Sequence, residues 1–98
     1  MATAVNIVVL AAADNVGIAL RDIGTNEAAR SAGGSSIVAR EAIPLGHKVA
    51  LADIDSGRPI VRFGVPVGIA TKPISAGQLV HIHNVRSRYL DNVEDHYE

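Results

Sequence analysis

Two histidines separated by one residue, His81 and His83, are the side chains of this sequence best suited by type and spacing to chemistry. They lie in the largely apolar run Leu79–Val85, which we interpret as one strand. Alternate residues of a strand share a face and rise about 3.3 Å each, so the two imidazoles would start about 6.6 Å apart on one side. Both could then reach one metal ion or one anionic substrate, and imidazole titrates near neutral pH. The same spacing is also compatible with two histidines on a solvated face.

Other basic side chains lie in two short segments of the chain. His47 and Lys48 follow a glycine and could bind a carboxylate or act as an acid–base pair, although an exposed polar turn would contain the same residues. Arg86 and Arg88 come just after the histidines, and a guanidinium group matches a carboxylate or a sulfonate with two parallel hydrogen bonds. A solvated loop is the alternative for these two arginines.

Two other interpretations of these residues are less well supported. A cupin metal site also has His-x-His on a strand, but it has a glutamate where this chain has Ser87 and Arg88, so we reject it. A carrier lysine on a hairpin would lie in Met-Lys-Met or Asp-Lys-Ala, whereas Lys48 lies between His47 and Val49. The carrier function stays a minor alternative.

The length and composition of the chain exclude several classes of protein and site. The 98 residues fit one small domain, too small to form an ordinary catalytic cleft alone, so we expect another chain to supply much of any active site. A net charge of −1 with 48% apolar residues argues against disorder and against nucleic-acid binding. The absence of cysteine excludes disulfides, zinc ribbons and a thiol nucleophile. No apolar stretch is long enough for a membrane span, and we expect a soluble cytoplasmic protein.

The first third of the chain predicts two strands and a loop. The β-branched run Val5–Leu10 indicates a buried strand. Asp14–Asn15 then indicates a turn, or alternatively a functional polar contact. Val16–Leu20 follows as a second strand, with a helix over Ala11–Leu20 as the competing interpretation. Residues 24–36 are predicted to be a loop with Gly33 and Gly34 at a hairpin tip.

The rest of the domain repeats a turn pattern, Ile-x-x-Gly-x-x-(Val/Ile). It occurs in Ile43–Val49, Ile54–Ile60 and Ile74–Val80, at unequal separations that argue against a solenoid. The glycine supplies the positive φ of a tight turn, and the following apolar residue restarts a strand. Between the copies, Val61–Ala70 is strand-like but interrupted by Gly and Pro. These features predict a compact all-β domain of short bent strands over residues 1–88, followed by an acidic tail at 89–98.

Several motifs carry a resemblance to a known family: Asp14–Asp22, Gly46–Gly57, Phe63–Ala70, Ile74–Gly77 and Val80–Asn84. They resemble the N-terminal domain of altronate dehydratase and galactarate dehydratase, and are at least as similar to the separate small subunit of the related sulfolactate sulfo-lyase. The resemblance covers roughly residues 5 to 88. It implies a SAF domain with the β-clip fold, similar to type III antifreeze protein.

The resemblance also implies an activity and partners. Its members are hydro-lyases acting on sugar acids, or a lyase that removes sulfite from sulfolactate. They depend on a divalent metal, Fe(II) or Mn(II)/Mg(II), held mostly by a larger catalytic domain or subunit. This chain would then be a small subunit or an excised N-terminal domain that is incomplete alone. A non-catalytic module for carbohydrate-acid binding or subunit assembly is the alternative, and a homo-oligomer stays open.

The resemblance assigns expected roles to particular residues. His81 and His83 are the expected catalytic groups. The substrate-binding residues are expected to be His47, Lys48, Asn84, Arg86 and Asn15. Whether this chain itself ligates the metal is left open by the motif.

Overall fold

The structure of the chain is a computed structural model, and it describes residues 4–87. The described residues form no helix and contain nine short strands: β1 (Ile7–Val8), β2 (Val16–Ala19), β3 (Ala28–Arg30), β4 (Ser36–Val38), β5 (Lys48–Ala50), β6 (Pro59–Arg62), β7 (Val65–Ala70), β8 (Leu79–Val80) and β9 (Val85–Ser87). The predicted all-β class is therefore confirmed. The predicted tail at 89–98 lies outside the described residues.

The strands form three antiparallel sheets. β1-β2-β5-β8 is a four-stranded sheet, β3-β4 is a two-stranded hairpin and β6-β7-β9 is a three-stranded sheet. The strand prediction for Val16–Leu20 is confirmed within one residue, and the helix over Ala11–Leu20 does not form. The β-branched and apolar residues of β2 lie on a mostly buried strand, as their types favour.

The predicted loop at residues 24–36 is only partly correct. Ala28–Arg30 is a strand, β3, paired with β4. Its sequence has weak intrinsic strand preference, so the pairing and the burial of Ala29 against the core, rather than local propensity, stabilise it. The hairpin tip at Gly33 and Gly34 is confirmed, since Gly34 has a φ of 101° between the two strands.

The Ile-x-x-Gly turn occurs four times rather than three. The additional copy starts at Ile23 and has Asn26, with a φ of 72°, where the others have glycine. Asparagine is one of the few residues that tolerates this conformation, which explains both the turn and its absence from a pattern based on glycine. The isoleucines pair, Ile23 with Ile43 and Ile54 with Ile74, and each pair exchanges two backbone hydrogen bonds.

These paired turns divide the domain into two equivalent halves. One constant offset in residue number relates Ile23 to Ile54 and Ile43 to Ile74. The same offset relates two hydrophobic clusters almost member for member: Ala19, Ile23, Ala29, Ala39, Ile43 and Val49 in one, and Ala50, Ile54, Ile60, Ala70, Ile74 and Val80 in the other. The core is thus two small copies of one arrangement.

Each half is also bound by a part of the N-terminal segment. The Asn6 side chain accepts a hydrogen bond from the Arg30 amide and donates one to the Ala28 carbonyl, at 2.6 and 2.8 Å. Asn15 makes the same pair of bonds with Val61 and Pro59, the residues that the offset relates to those two, at 2.8 and 3.0 Å. The repeat therefore explains Asn15 as a structural residue of the second half.

The glycines at equivalent positions of the two halves differ in their surroundings. Gly46 and Gly77 both have positive φ, but a methyl group at Gly46 would meet open space. At Gly77 it would collide with the Val38 carbonyl oxygen and approach Arg40. We therefore expect Gly46→Ala to lower the free energy of unfolding by about 1–2 kcal/mol from backbone strain alone. Gly77→Ala should cost about 3 kcal/mol or more because overpacking adds to that strain.

Urea unfolding of the two alanine variants against the parent chain measures the difference. Equal losses at the two positions would contradict the packing assigned to Gly77.

Candidate functional site

The segment that carries the two histidines is a turn and not a strand. β8 ends at Val80, and the Asn84 amide donates to the His81 carbonyl at 3.0 Å, which closes a turn before β9 begins. The prediction of one strand over Leu79–Val85, with both imidazoles on one face, is wrong. The Asn84 side chain offers the backbone an alternative to the sheet: its Oδ1 accepts from the His81 amide, and its Nδ2 donates to the Leu79 carbonyl.

His81 lies against His47 instead of His83. Their ring centroids are 4.7 Å apart and the ring planes are tilted by 58°. The register of the sheet explains this contact, because Lys48 of β5 pairs with Val80 of β8 in antiparallel fashion. The residue before β5 and the residue after β8 therefore lie side by side at the same end of the sheet.

A cavity of about 290 Å³ opens next to this histidine pair. Its polar lining includes Lys48, Arg62 and His81. The apolar wall consists of Ile60, Val67, Val80, Ile82 and Val85, and Ser87 completes the lining. Among residues 4–87, no carboxylate lines the cavity, and the charged side chains in its lining are the cations Lys48 and Arg62. This arrangement favours an anionic ligand with an apolar portion.

The surroundings lower the pKa values of two groups in the site. Burial lowers the pKa of Lys48, and the neighbouring Arg62 charge lowers it further. The pKa of His81 lies below its usual 6.5, first because of desolvation and then because of repulsion from His47, Lys48 and His83. His81 is therefore neutral at neutral pH, and its imidazole can accept a proton.

The remaining predicted residues lie in other positions. His83 is exposed on the same turn, and Arg86 is exposed in β9. Asn84 is buried, with both polar atoms of its side chain bound to backbone. Asn15 is bound to the backbone of β6. Neither asparagine lines this cavity. The roles expected for His83, Arg86, Asn84 and Asn15 in catalysis or substrate binding stay predictions.

Arg62 is the site residue that sequence reasoning missed. It ends β6, just before the tight turn formed by Phe63 and Gly64, both of which have positive φ. Asp14 fixes this turn, since its carboxylate accepts a hydrogen bond from the Gly64 amide at 2.8 Å. Burial tends to raise the pKa of Asp14, but hydrogen bonds from backbone amides lower it overall. The only sequence signal for Arg62 is a basic residue at the end of a strand, which is too common to single out.

The described residues do not form a metal site of their own. No group of three or more His, Cys, Asp or Glu side chains within residues 4–87 could hold a metal ion. His47 and His81 offer two imidazoles, fewer than the three protein ligands that a catalytic zinc site takes. The same residues include no helix with the length and apolar character needed to cross a membrane.

A family model described as the altronate/galactarate dehydratase SAF domain matches residues 5–88. The chain belongs to this family. The SAF assignment suggested by the motifs is thereby confirmed, together with the small all-β fold. The motif residues His47, Lys48 and His81 are the ones that the structure brings together within this SAF domain.

The relatives are longer proteins. The SAF domain is 42% identical over 78 residues to altronate dehydratase of Bacillus subtilis, covering 80% of this chain and 16% of the relative. It is 36% identical over 87 residues to altronate dehydratase of Escherichia coli, covering 89% and 17%. It is also 35% identical over 49 residues to (2R)-sulfolactate sulfo-lyase subunit alpha of Chromohalobacter salexigens, covering 50% and 52%. The chain thus spans about a sixth of the two dehydratases and about half of the sulfo-lyase subunit.

The histidine pair predicts a specific titration. We expect the imidazole of His81 to titrate below pH 6.5, and its pKa to rise in His47→Ala because that change removes both a positive neighbour and part of the burial. The unfolded chain binds this proton more tightly than the folded chain does. The contribution of His81 to stability is therefore lost as the pH falls below 6.5 and through the folded pKa.

Histidine ring NMR shifts followed against pH in the full chain measure these values. Lys72→Ala, an exposed lysine outside the cavity lining, is the control and should leave the titration unchanged. A His81 midpoint at or above 6.5 would refute the geometry described.

Proposed function

We propose that this chain is the SAF domain or small subunit of a metal-dependent hydro-lyase or sulfo-lyase. Its substrates are sugar acids or small 2-hydroxy acids such as altronate, galactarate or sulfolactate. The active site is completed by this chain and carried mainly by a larger subunit. The cluster of two cations, Lys48 and Arg62, with the imidazole pair of His47 and His81 at one cavity supports this proposal most strongly.

The charge of the cluster suits the substrate class. Every substrate named above carries a carboxylate, and the sulfolactate anion carries a sulfonate as well. Arg62 provides a planar fork of donors for such a group, and Lys48 provides a point charge in the lining of the same cavity. Arg86, in β9, is a further candidate for the carboxylate. A cavity whose lining includes both cations would hold the acid group of such a substrate.

His81 is proposed as the group that moves the proton. In an elimination of this kind, a base removes the proton α to the carboxylate, the carbon–carbon double bond forms, and hydroxide or sulfite leaves from the β carbon. The neutral imidazole of His81 can accept that proton. His83, on the same turn, is proposed as a second acid–base group that protonates a departing hydroxide. Cations at the carboxylate stabilise the negative charge that develops on it.

The divalent metal, Fe(II) or Mn(II)/Mg(II), is assigned mostly to the larger subunit. The reason is the donor set, because the described residues bring only two imidazoles together. Ile82, which lines the cavity, is 82% exposed. An exposed aliphatic side chain next to a charged cluster suits a surface that a larger partner covers.

A non-catalytic module for carbohydrate-acid binding or subunit assembly is the second candidate. Two exposed apolar side chains favour it, Leu45 (61% exposed) beside His47 and Ile82 beside His81. Their positions would serve assembly equally well without any proton transfer.

Copurification from the native extract tests the main proposal. We expect a much larger partner to be recovered with this chain, and the eluate to remove water or sulfite from a 2-hydroxy acid in a reaction that requires a divalent metal. A chain that elutes alone, from an extract that shows this lyase activity in other fractions, would contradict the proposal.

Substitution of His81 separates catalysis from assembly. In the complex with its partner, His81→Ala should lower kcat by about 10²-fold, since that is the usual scale of a lost acid–base group. Lys72→Ala serves as the control and should retain full turnover. Gel filtration of both complexes reports assembly independently. Full kcat in an intact His81→Ala complex would favour the assembly module.

A further inference from the structure

Asn84 is a buried residue within an exposed turn. Its side chain is 4% exposed, whereas the three residues before it are exposed. It makes two side-chain hydrogen bonds, from the His81 amide to Oδ1 at 2.9 Å and from Nδ2 to the Leu79 carbonyl at 2.8 Å. Its backbone amide donates to the His81 carbonyl at 3.0 Å, and its carbonyl accepts from the Thr71 amide at 2.9 Å. The turn is therefore tied to itself and to the strand that precedes Thr71.

These bonds act on His81 through its backbone. The side-chain Oδ1 of Asn84 accepts a hydrogen bond from the His81 amide, and the backbone amide of Asn84 donates one to the His81 carbonyl. Both peptide groups of His81 are therefore fixed. It does not line the cavity, and both polar atoms of its side chain bind backbone groups. The register of β5 and β8 brings His81 beside His47, and the turn that Asn84 closes fixes the backbone of His81 at that place.

We propose that Asn84 is a positioning residue that holds the His81 imidazole against His47 at the mouth of the cavity. It acts through the backbone of the turn and does not touch the substrate. This inference rests on the proposed function for its effect on catalysis, but its geometric part stands by itself. It is an alternative to the substrate contact that the resemblance implied for Asn84.

The side-chain amide of Asn84 is required because the turn needs a donor for the Leu79 carbonyl and an acceptor for the His81 amide. An asparagine side chain offers both, whereas aspartate offers only acceptors and alanine offers neither. Without Asn84 the amide of His81 and the carbonyl of Leu79 would lose their partners, and the turn would open toward solvent. His81 would then leave His47.

The test uses the full 98-residue chain with Asn84→Ala. Asn6→Ala is the matched control, because Asn6 is also buried and also binds one backbone amide and one carbonyl, but in the other half of the domain. We expect Asn84→Ala to abolish the ring-to-ring nuclear Overhauser contact between His47 and His81 and to raise the His81 titration midpoint toward 6.5. Asn6→Ala should lose stability and change neither readout. Unchanged readouts in folded Asn84→Ala would overturn the proposal.

A measurement on the unsubstituted chain covers the case in which Asn84→Ala does not fold. The His81 amide proton should exchange with solvent at least about tenfold more slowly than those of exposed Ile82 and His83, because Asn84 binds it. Equal exchange rates at these three amides would show that the hydrogen bond does not hold the turn, and the proposal would fail.

The assembled enzyme tests the effect on catalysis. We expect Asn84→Ala to lower kcat at least about tenfold, and the double variant Asn84→Ala/His81→Ala to be no slower than His81→Ala alone. Multiplicative losses would mean that Asn84 acts independently of His81, which overturns the positioning role. Full turnover in His81→Ala would instead refute the proposed function, while the NMR comparison still decides whether Asn84 positions the ring.

Discussion

Two pairs of isoleucines exchange backbone hydrogen bonds, one pair in each half, and the other features of the domain are arranged around them. Ile23 pairs with Ile43, and Ile54 pairs with Ile74, each in both directions at 2.8 to 2.9 Å. Each isoleucine begins a tight turn and is itself no more than 4% exposed, so one residue fixes a turn and fills the core. A chain with few aromatic side chains can form a core in this way because the same small aliphatic residues recur at equivalent positions of the two halves.

The candidate site arises where the two halves stop being equivalent. The offset between the halves relates Lys48 to Leu79, and it relates Ser31 to Arg62. His81 follows the last residue of the second half and begins the turn closed by Asn84. The strands and turns that repeat in both halves provide rigid strand ends. The cationic side chains occur at a few positions where the residues of the two halves differ. The core is therefore the same in both halves while the chemistry differs between them.

The sequence predicts the strands and turns better than it predicts the geometry of the candidate site. Glycine turns and β-branched runs have local physical causes, and three of the four turns follow from them. The turn at Asn26 was missed because an asparagine replaces the glycine, and β3 was missed because Ala28–Arg30 owes its conformation to a partner strand. The family motif named His47 and His81 together, and their rings are in contact, but alternation along a strand paired His81 with His83. The error arose because the Asn84 side chain hydrogen-bonds the backbone and ends the strand. The periodicity of the sequence does not reveal such a bond.

The two halves are interlaced along the chain. Asn6 belongs to the first half, Asn15 to the second, residues 19–49 to the first again and residues 50–80 to the second. Strand β2 even passes from one cluster to the other, since Val16 lies in the second and Ala19 in the first. Neither half is a continuous piece of polypeptide, so neither can be completed during folding before the other. Loop closure over long separations must therefore precede most of the stabilising contacts, which makes the domain fold and unfold as a single cooperative unit.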